Sequence, residues 1–563
     1  MTSAIAIVGM ACRFPDARTP EELWENVLAQ RRAFRRLPPE RLSLKDYFSA
    51  DPSKPDAIYA SHAAVIEGYE FDRVRFRVAG ATFRSVDLSH WLALDVADQA
   101  LRDAGFVDGE GLPLETTGVL VGNTLTGEFS RAASLRLRWP YVRRVVESQL
   151  VQAGWDVPRI PEFLEGLETA YKSPFPEVGE ETLAGALSNT IAGRICNYFH
   201  FGGGGYTVDG ACSSSLLAIA RACSALETGE IDAALVGGVD LSLDPFELVG
   251  FSKAGALARG EMLVYDTNSS GFLPGEGCGF VVLMRADDAN SRNLRTYAII
   301  RGWGISSDGA GSITRPDMRG QTLALQRAYK RANYGVDTVA LFEGHGTGTP
   351  VGDEVELNAL SRLRKEAGLA KRPAAIGSVK ANIGHTKAAA GIAGLIKASL
   401  AVGRRVIPPT TGVRQPRSEV AGDGAVLRVL SGAEIWPGDI PVRAGVNSFG
   451  FGGINVHIAI EGHEHSQISV GSATGKLIGP SMQDAEIFLF DGESFGELKT
   501  KIEGLAHFAA PSLLRKSLIC LRLSPKKQDM EECDRRSSPP LQKNSLRAWS
   551  NYMQLSTNAS AAT

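Results

Sequence analysis

The sequence predicts an α/β fold built on a mainly parallel sheet, and three observations lead there. Short apolar runs alternate with stretches of helical periodicity, as in successive βα units. Most of these runs stop at Gly-bearing turns, where a chain leaves the end of a strand. With 563 residues, 44% of them hydrophobic, the chain is long enough for two packed domains.

Ile5 to Gly9 reads as the first strand and Val119 to Gly122 as another. Residues 126–190 read as a helical insertion in which Arg131, Arg136, Arg138, Arg143 and Arg144 lie near Trp139 and Tyr141. That basic face fits either a solvated helix or a dock for an acidic protein. Tyr206 to Val208 then ends a strand, Asp209-Gly210 makes a tight turn, and a helix follows from Ser215 with Leu216, Ile219, Ala220, Cys223 and Leu226 on one face. Further strands are expected at Ala233 to Val239, Tyr297 to Gly302, Leu341 to Glu343 and Ile376 to Lys380, with a helix from Ala388 to Val402. Beyond Gly462 the chain turns polar: residues 463–482 read as a linker, Ala485 to Asp491 as a strand and Ser494 to Phe508 as an amphipathic helix. Residues 524–563 lack apolar periodicity and read as a disordered tail.

Cys212 falls on the strand-to-helix elbow, in the stretch Asp209-Gly-Ala-Cys212-Ser-Ser-Ser-Leu216. Unpaired N–H groups and the positive helix end there favour a thiolate, which makes the cysteine a candidate nucleophile near neutral pH. Alone, it reads equally as a small buried hydrophobe. Two histidines change the weighing. His345 stands in Glu343-Gly-His345-Gly-Thr-Gly-Thr349 and His385 in Gly377-Ser-Val-Lys380-Ala-Asn-Ile-Gly-His385-Thr386, each at a strand end and flanked by glycines that let a substrate arm approach.

With Gly352-Asp-Glu-Val-Glu356 and Asn447-Ser-Phe-Gly-Phe451-Gly-Gly-Ile-Asn455, these stretches resemble the active-site signatures of β-ketoacyl synthases, in particular the ketosynthase domain of type I polyketide synthases. The resemblance covers about residues 1–461, beginning at Ala4-Ile-Ala-Ile-Val-Gly-Met-Ala-Cys-Arg-Phe-Pro15. It implies a thiolase-like fold of two similar α/β halves (residues 1–250 with the nucleophile, 251–461 with the histidines) and a homodimer. It implies an acyltransferase in which Cys212 accepts an acyl chain from an acyl carrier protein and His345 and His385 act on a malonyl thioester. The amides of Cys212 and Phe451 would form the oxyanion hole, with Phe449 beside them and Phe451 gating the pocket. Lys380 and Glu356 would pair and hold the histidine loops, with Asp353 structural. Asp209-Gly210, Gly344 and the segment Arg77 to Trp91 look most like the enediyne and polyene iterative synthases. No directly bound cofactor is implied; the phosphopantetheine arm of the carrier protein brings the substrate.

A formal net charge of -3 gives no reason to expect nucleic acid or an anionic membrane as main partner. No signal peptide and no run of some 18 apolar residues stands out. Seven cysteines without CxxC spacing fit reduced thiols in a cytoplasm better than disulfides or a zinc site. Residues 462–523 resemble the small α/β linker that precedes an acyltransferase, yet no GxSxG elbow or Asp-Ser-Leu carrier site follows, so carrier protein and acyltransferase are expected in trans. The rival expectation is a truncated or partner-dependent fragment that serves as a non-catalytic binding partner.

Overall fold

The computed structural model describes residues 4–463 apart from 126, 310–312 and 369–371, together with 485–492, 494, 496, 497, 499–501 and 516–523. Of the expected linker at 463–482 all but His463, and the whole of the tail at 524–563, lie outside the described residues. Two compact units divide the chain, Met1–Met482 and Gln483–Thr563.

The first unit is organised on one sheet of eleven strands. In chain order these are β1 (Ile5–Arg13), β2 (Thr117–Gly122), β3 (Gly205–Val208), β4 (Ala233–Asp240), β5 (Gly277–Arg285), β6 (Ala298–Ser307), β7 (Leu341–Glu343), β8 (Ala374–Gly377), β9 (Leu427–Arg428), β10 (Arg443–Gly450) and β11 (Ile454–Glu461). Their spatial order is β9-β8-β7-β10-β11-β6-β1-β5-β4-β2-β3. A duplication is written in that order. In the first half the strands run β3-β2-β4-β5-β1 and in the second, setting aside the extra edge strand β9, β8-β7-β10-β11-β6, so each half is third-second-fourth-fifth-first. The first three in each list are parallel and the remaining pairings antiparallel. The halves meet where β1 and β6 pair antiparallel, Ile5 opposite Ile300 and Ile7 opposite Ala298.

The expectation of a mainly parallel sheet therefore holds for the flanks and not for the middle. Alternating strand and helix signals mark crossovers, which give parallel neighbours, whereas β10 and β11 form a hairpin around Phe451–Gly453. Phe449 and Asn455 lie on these two strands, on either side of the Gly-bearing tip. The expected strand Ile376 to Lys380 also ends early, at Gly377, and Lys380 opens a helical turn.

Helices that matter for the site are α1 (Leu88–Asp103), α2 (Glu128–Leu137), α3 (Trp139–Gln152), α4 (Ile160–Lys172), α5 (Asn189–Phe199), α6 (Ser214–Thr228), α7 (Pro245–Lys253), α8 (Met318–Ala332), α9 (Pro350–Glu366), α10 (Lys380–Ile383) and α11 (Ala390–Arg404). The insertion is helical as expected, through α2, α3 and α4. Strand β1 shows why the layers form. It is apolar from Ile5 to Cys12, where both faces are buried. Ile5, Ile7, Met10 and Cys12 join a core with α6 and α11, while Ala6, Val8 and Ala11 join another with α1 and α5. A bulge between Ile7 and Gly9 switches the alternation from odd to even positions. A third core joins β7 and β8 to α8 and α9. Helices α6 and α11 thus form a central layer between the two sheet halves, with the other helices outside.

In the second unit, β12 (Ala485–Gly492) pairs in parallel with β13 (Lys516–Leu523). The first of these matches the expected strand. Only part of the expected helix Ser494 to Phe508 is described, and there Lys501 pairs with Glu497 at 2.8 Å, the spacing of one helical turn. No helix among the described residues is long and apolar enough to cross a membrane.

Candidate active site

Cys212 and His385 occupy equivalent places in the two halves, each after the third strand and before a central helix. Strand β3 ends at Val208, and Asp209 turns the chain by accepting the Ala211 N–H through Oδ1 at 2.9 Å. Ala211 sits at φ +50°, a left-handed conformation costing on the order of 1–2 kcal/mol for a residue with a side chain. The elbow is held by Gly210 N–H on Ser214 Oγ at 2.9 Å and by Ser448 Oγ, from β10, on the Cys212 carbonyl at 2.7 Å. These bonds aim the cysteine at the end of β10, and the Phe451 amide hydrogen-bonds its thiol.

Burial pushes the Cys212 thiol up to about 11, against the Phe451 N–H, Lys380 and Lys387, which favour the thiolate. Burial thus opposes the expected resting thiolate at neutral pH. Desolvation outweighs the amide and the cations at this position.

The histidines are held by their backbones and by their Nδ1 atoms. His385 donates its N–H to Leu273 O at 2.8 Å and accepts from Gly275 N–H at 3.0 Å. Its Nδ1 accepts the Lys387 N–H at 3.1 Å, and the Phe272 ring lies edge-on at 4.9 Å. His345 Nδ1 accepts the Phe449 N–H at 3.3 Å. The two imidazoles stand at 84° with centroids 5.7 Å apart. An Nδ1 that accepts from a backbone N–H leaves the proton on Nε2, so both rings are Nε2–H donors. Burial and then the charge of Lys380 hold both pKa values well below the usual histidine range, which keeps the rings neutral.

Glu356 and Lys380 do not form the expected pair. Both oxygens of Glu356 are already engaged: Oε1 accepts His345 N–H at 2.6 Å and Asn447 Nδ2 at 2.8 Å, and Oε2 accepts Gly346 N–H at 2.8 Å and the Tyr265 hydroxyl at 3.0 Å. Glu356 thus holds the His345 loop directly. Lys380 is buried and makes no ion pair within 4 Å among the described residues, and its charge is felt by Cys212, His345 and His385. Asp353 accepts Tyr265 N–H at 2.7 Å and Gly348 N–H at 3.0 Å, a structural role, with burial raising its carboxyl to about 7. Phe449 is buried beside His345, and Phe451 is 52% exposed at the tip of the hairpin.

Several supporting residues escaped the sequence reading. Lys387 pairs with Asp240 at 2.8 Å and Glu247 at 3.0 Å, all buried, and so ties the His385 loop to β4 and α7. Glu343 pairs with Lys397 of α11 at 2.6 Å and accepts Val379 N–H at 2.6 Å. Ser448 and Asn447 sat in a recognised stretch without an assigned role. Among the described residues no group of three or more metal-ligating side chains stands together.

Comparison with known proteins agrees with this geometry. Residues 2–289 match the family model of the β-ketoacyl synthase N-terminal domain, and residues 297–414 that of its C-terminal domain. The chain is 35% identical over 482 residues to a polyunsaturated fatty acid synthase of a Thraustochytrium species, covering 83% of this chain and 17% of that protein. It is 34% identical over 463 residues to the polyketide synthase GfsB of Streptomyces halstedii, covering 81% of this chain and 8% of that one. The chain thus spans less than a fifth of either relative. Among solved structures, the ketosynthase from module 6 of the bacillaene synthase of Bacillus subtilis 168 superposes with TM-score 0.69 at 30% identity, covering 90% of this chain and 77% of that one. The PfaC keto synthase–chain length factor gives 0.70 at 30% identity, covering 82% and 48%. A nucleophile elbow and two neutral histidines, with Ser448 on the Cys212 carbonyl and the next residue, Phe449, on His345, stand on a twice-repeated α/β half, and with these matches they make the chain a member of the β-ketoacyl synthase family with a thiolase-like fold.

Proposed function

We propose that the chain catalyses decarboxylative condensation of an acyl thioester on Cys212 with malonyl-acyl carrier protein. Residues 1–250 supply the nucleophile and residues 251–461 the histidines. Cys212 attacks the carrier-bound acyl thioester and displaces the phosphopantetheine thiol. In the malonyl thioester the bond to the carboxylate then breaks, carbon dioxide leaves, and the electron pair moves onto an enolate oxygen stabilised by the Nε2–H groups of His345 and His385. The enolate carbon attacks the Cys212 thioester, the amides of Cys212 and Phe451 hold the oxyanion, and its collapse expels the cysteine thiolate. Losing one such donor typically costs ~3 kcal/mol of transition-state stabilisation.

The observation that carries this reading is that neighbouring residues of β10 bind both parts of the site: Ser448 Oγ bonds the Cys212 carbonyl, the Phe449 N–H bonds His345 Nδ1, and the His345 ring lies 5.7 Å from that of His385. Lys380 tunes all three reacting groups, and Phe451 gates the acyl pocket. The relatives that are polyunsaturated fatty acid and polyketide synthases support a polyene or enediyne-type product, as do Asp209-Gly210, Gly344 and the segment Arg77 to Trp91. The protein works as a homodimer in a cytoplasm, with carrier protein and acyltransferase supplied in trans.

Intact-protein mass spectrometry tests the reaction. Mixing with an acyl-loaded carrier protein is expected to add the acyl mass to the native chain and not to Cys212→Ala. Malonyl carrier protein should then discharge it with release of carbon dioxide and a carrier-bound β-ketoacyl product. Acyl transfer that persists in Cys212→Ala would overturn the assignment.

A further inference from the structure

We propose that Asn447 is a positioning residue for His345, the inner link of a buried hydrogen-bond relay that begins at Tyr329 and passes through His457 to Glu356. The proposal rests on the reading of His345 as an enolate-stabilising donor. The direction of every bond follows from the atoms present. Glu356 Oε1 accepts the His345 backbone N–H, which can only donate, and the second group on that oxygen is Asn447 Nδ2 at 2.8 Å. The amide of Asn447 therefore points its carbonyl oxygen the other way, to His457 Nδ1 at 2.5 Å. That nitrogen carries the proton, and His457 Nε2 is left to accept the Tyr329 hydroxyl at 2.9 Å.

The relay is built into the fold. Asn447, His457 and Glu356 are each at most 2% exposed and Tyr329 is buried, so an unmet donor or acceptor here would cost the full desolvation of the group. Burial holds His457 down to a pKa of about 3, so it is a neutral link with one donor and one acceptor. Asn447 on β10 and His457 on β11 are paired directly in the hairpin register. Gly445, two residues before Asn447, leaves the necessary room: a Cβ there would lie 2.6 Å from the His457 ring and 2.8 Å from the Tyr329 hydroxyl.

The consequence reaches the site through Glu356. Asn447 fixes the carboxylate that anchors the His345 and Gly346 amides, and that loop is what presents the imidazole to the Phe449 N–H. A merely structural role would disturb both half-reactions together. The relay predicts a split, because Cys212 is held by a different set of bonds.

The experiment measures the two half-reactions separately on the full chain, acylation of Cys212 from an acyl carrier thioester and carbon dioxide release from malonyl carrier protein. Asn447→Asp turns the inner link into a second carboxylate facing Glu356, and it is expected to slow decarboxylation about 10- to 100-fold with acylation within about twofold. Tyr329→Phe removes only the outermost hydroxyl and is expected to slow the same step by a smaller factor. Nitrogen-15 histidine spectra give a readout that needs no turnover: His457 protonated at Nδ1, His345 at Nε2, and the His345 signals displaced in Asn447→Asp. Equal loss of both half-reactions, or unmoved His345 signals, overturns the relay. A native chain with these tautomers but no turnover, together with displaced His345 signals in Asn447→Asp, upholds the relay and defeats the condensing reading.

Discussion

Gly344 and Tyr265 form a matched pair behind the candidate site. A Cβ at residue 344 would collide with the Tyr265 hydroxyl, which donates to Glu356. Gly344→Ala is expected to destabilise the chain by about 1–3 kcal/mol through overpacking. Adding Tyr265→Phe should recover much of that loss, and a chemical-denaturation double-mutant cycle with purely additive effects would defeat the pairing. The reacting groups make a second prediction. Because the Cys212 thiol is raised to about 11, its thiolate fraction grows about tenfold per pH unit below that value, so acylation should speed up from pH 6 to 9. With both histidines held neutral well below their usual range, decarboxylation should show no histidine-dependent acid limb between pH 6 and 8. Stopped-flow or quench measurement of each half-reaction checks both. Cys212, His345 and His385 were legible in the sequence because each is a chemically distinctive side chain set among glycines at a strand end. Tyr265, Lys387 and His457 were not, since a tyrosine in an apolar run, a lysine at a helix start and a histidine in a strand each look ordinary until a distant segment folds against them.

The central helices carry the site, and their close approach depends on small residues. A Cβ at Gly391 of α11 would lie 2.6 Å from Leu216 Cγ and 2.9 Å from Ser215 Oγ on α6, and Ser215 Oγ accepts the Ile392 N–H at 3.0 Å. Gly391→Ala is therefore expected to destabilise the chain by about 1–3 kcal/mol, although alanine favours helices, and to reduce acylation as α6 shifts under Cys212. Thermal unfolding and the acylation assay read the two effects; a stabilised variant would show that the helices have slack. The helices and most parallel strands could be anticipated from periodicity. The β10–β11 hairpin could not: its glycines mask two strands whose burial comes from the neighbouring β7 and β6.

Across the whole sheet, the repeated strand order joins two halves through β1, which pairs with β5 of its own half and with β6 of the other. Deleting residues 1–13 removes the strand shared by two cores, and the expected result is loss of soluble, cooperatively folding protein, followed by circular dichroism and denaturant titration. A truncated chain that still unfolds cooperatively with native ellipticity would refute that dependence. The duplication leaves no repeat in the sequence and was legible only through the family resemblance, because it repeats a backbone path while the residues along it serve different tasks: Cys212 stands at one station and His385 at its counterpart.

The backbone N–H groups that occupy both histidine Nδ1 atoms have a chemical consequence for the cysteine between them. Neither ring, with Nε2 already protonated and Nδ1 occupied, is placed to store the thiol proton. Exchange of one thioester for another releases a thiol for each thiol consumed, so the capture step needs no lasting proton acceptor. Peroxides and alkylating agents react with thiolates, so a proton kept on the sulfur at rest shields it from them and lowers its nucleophilicity alike. The tautomers of two histidines thereby set reactivity of the sulfur against its protection.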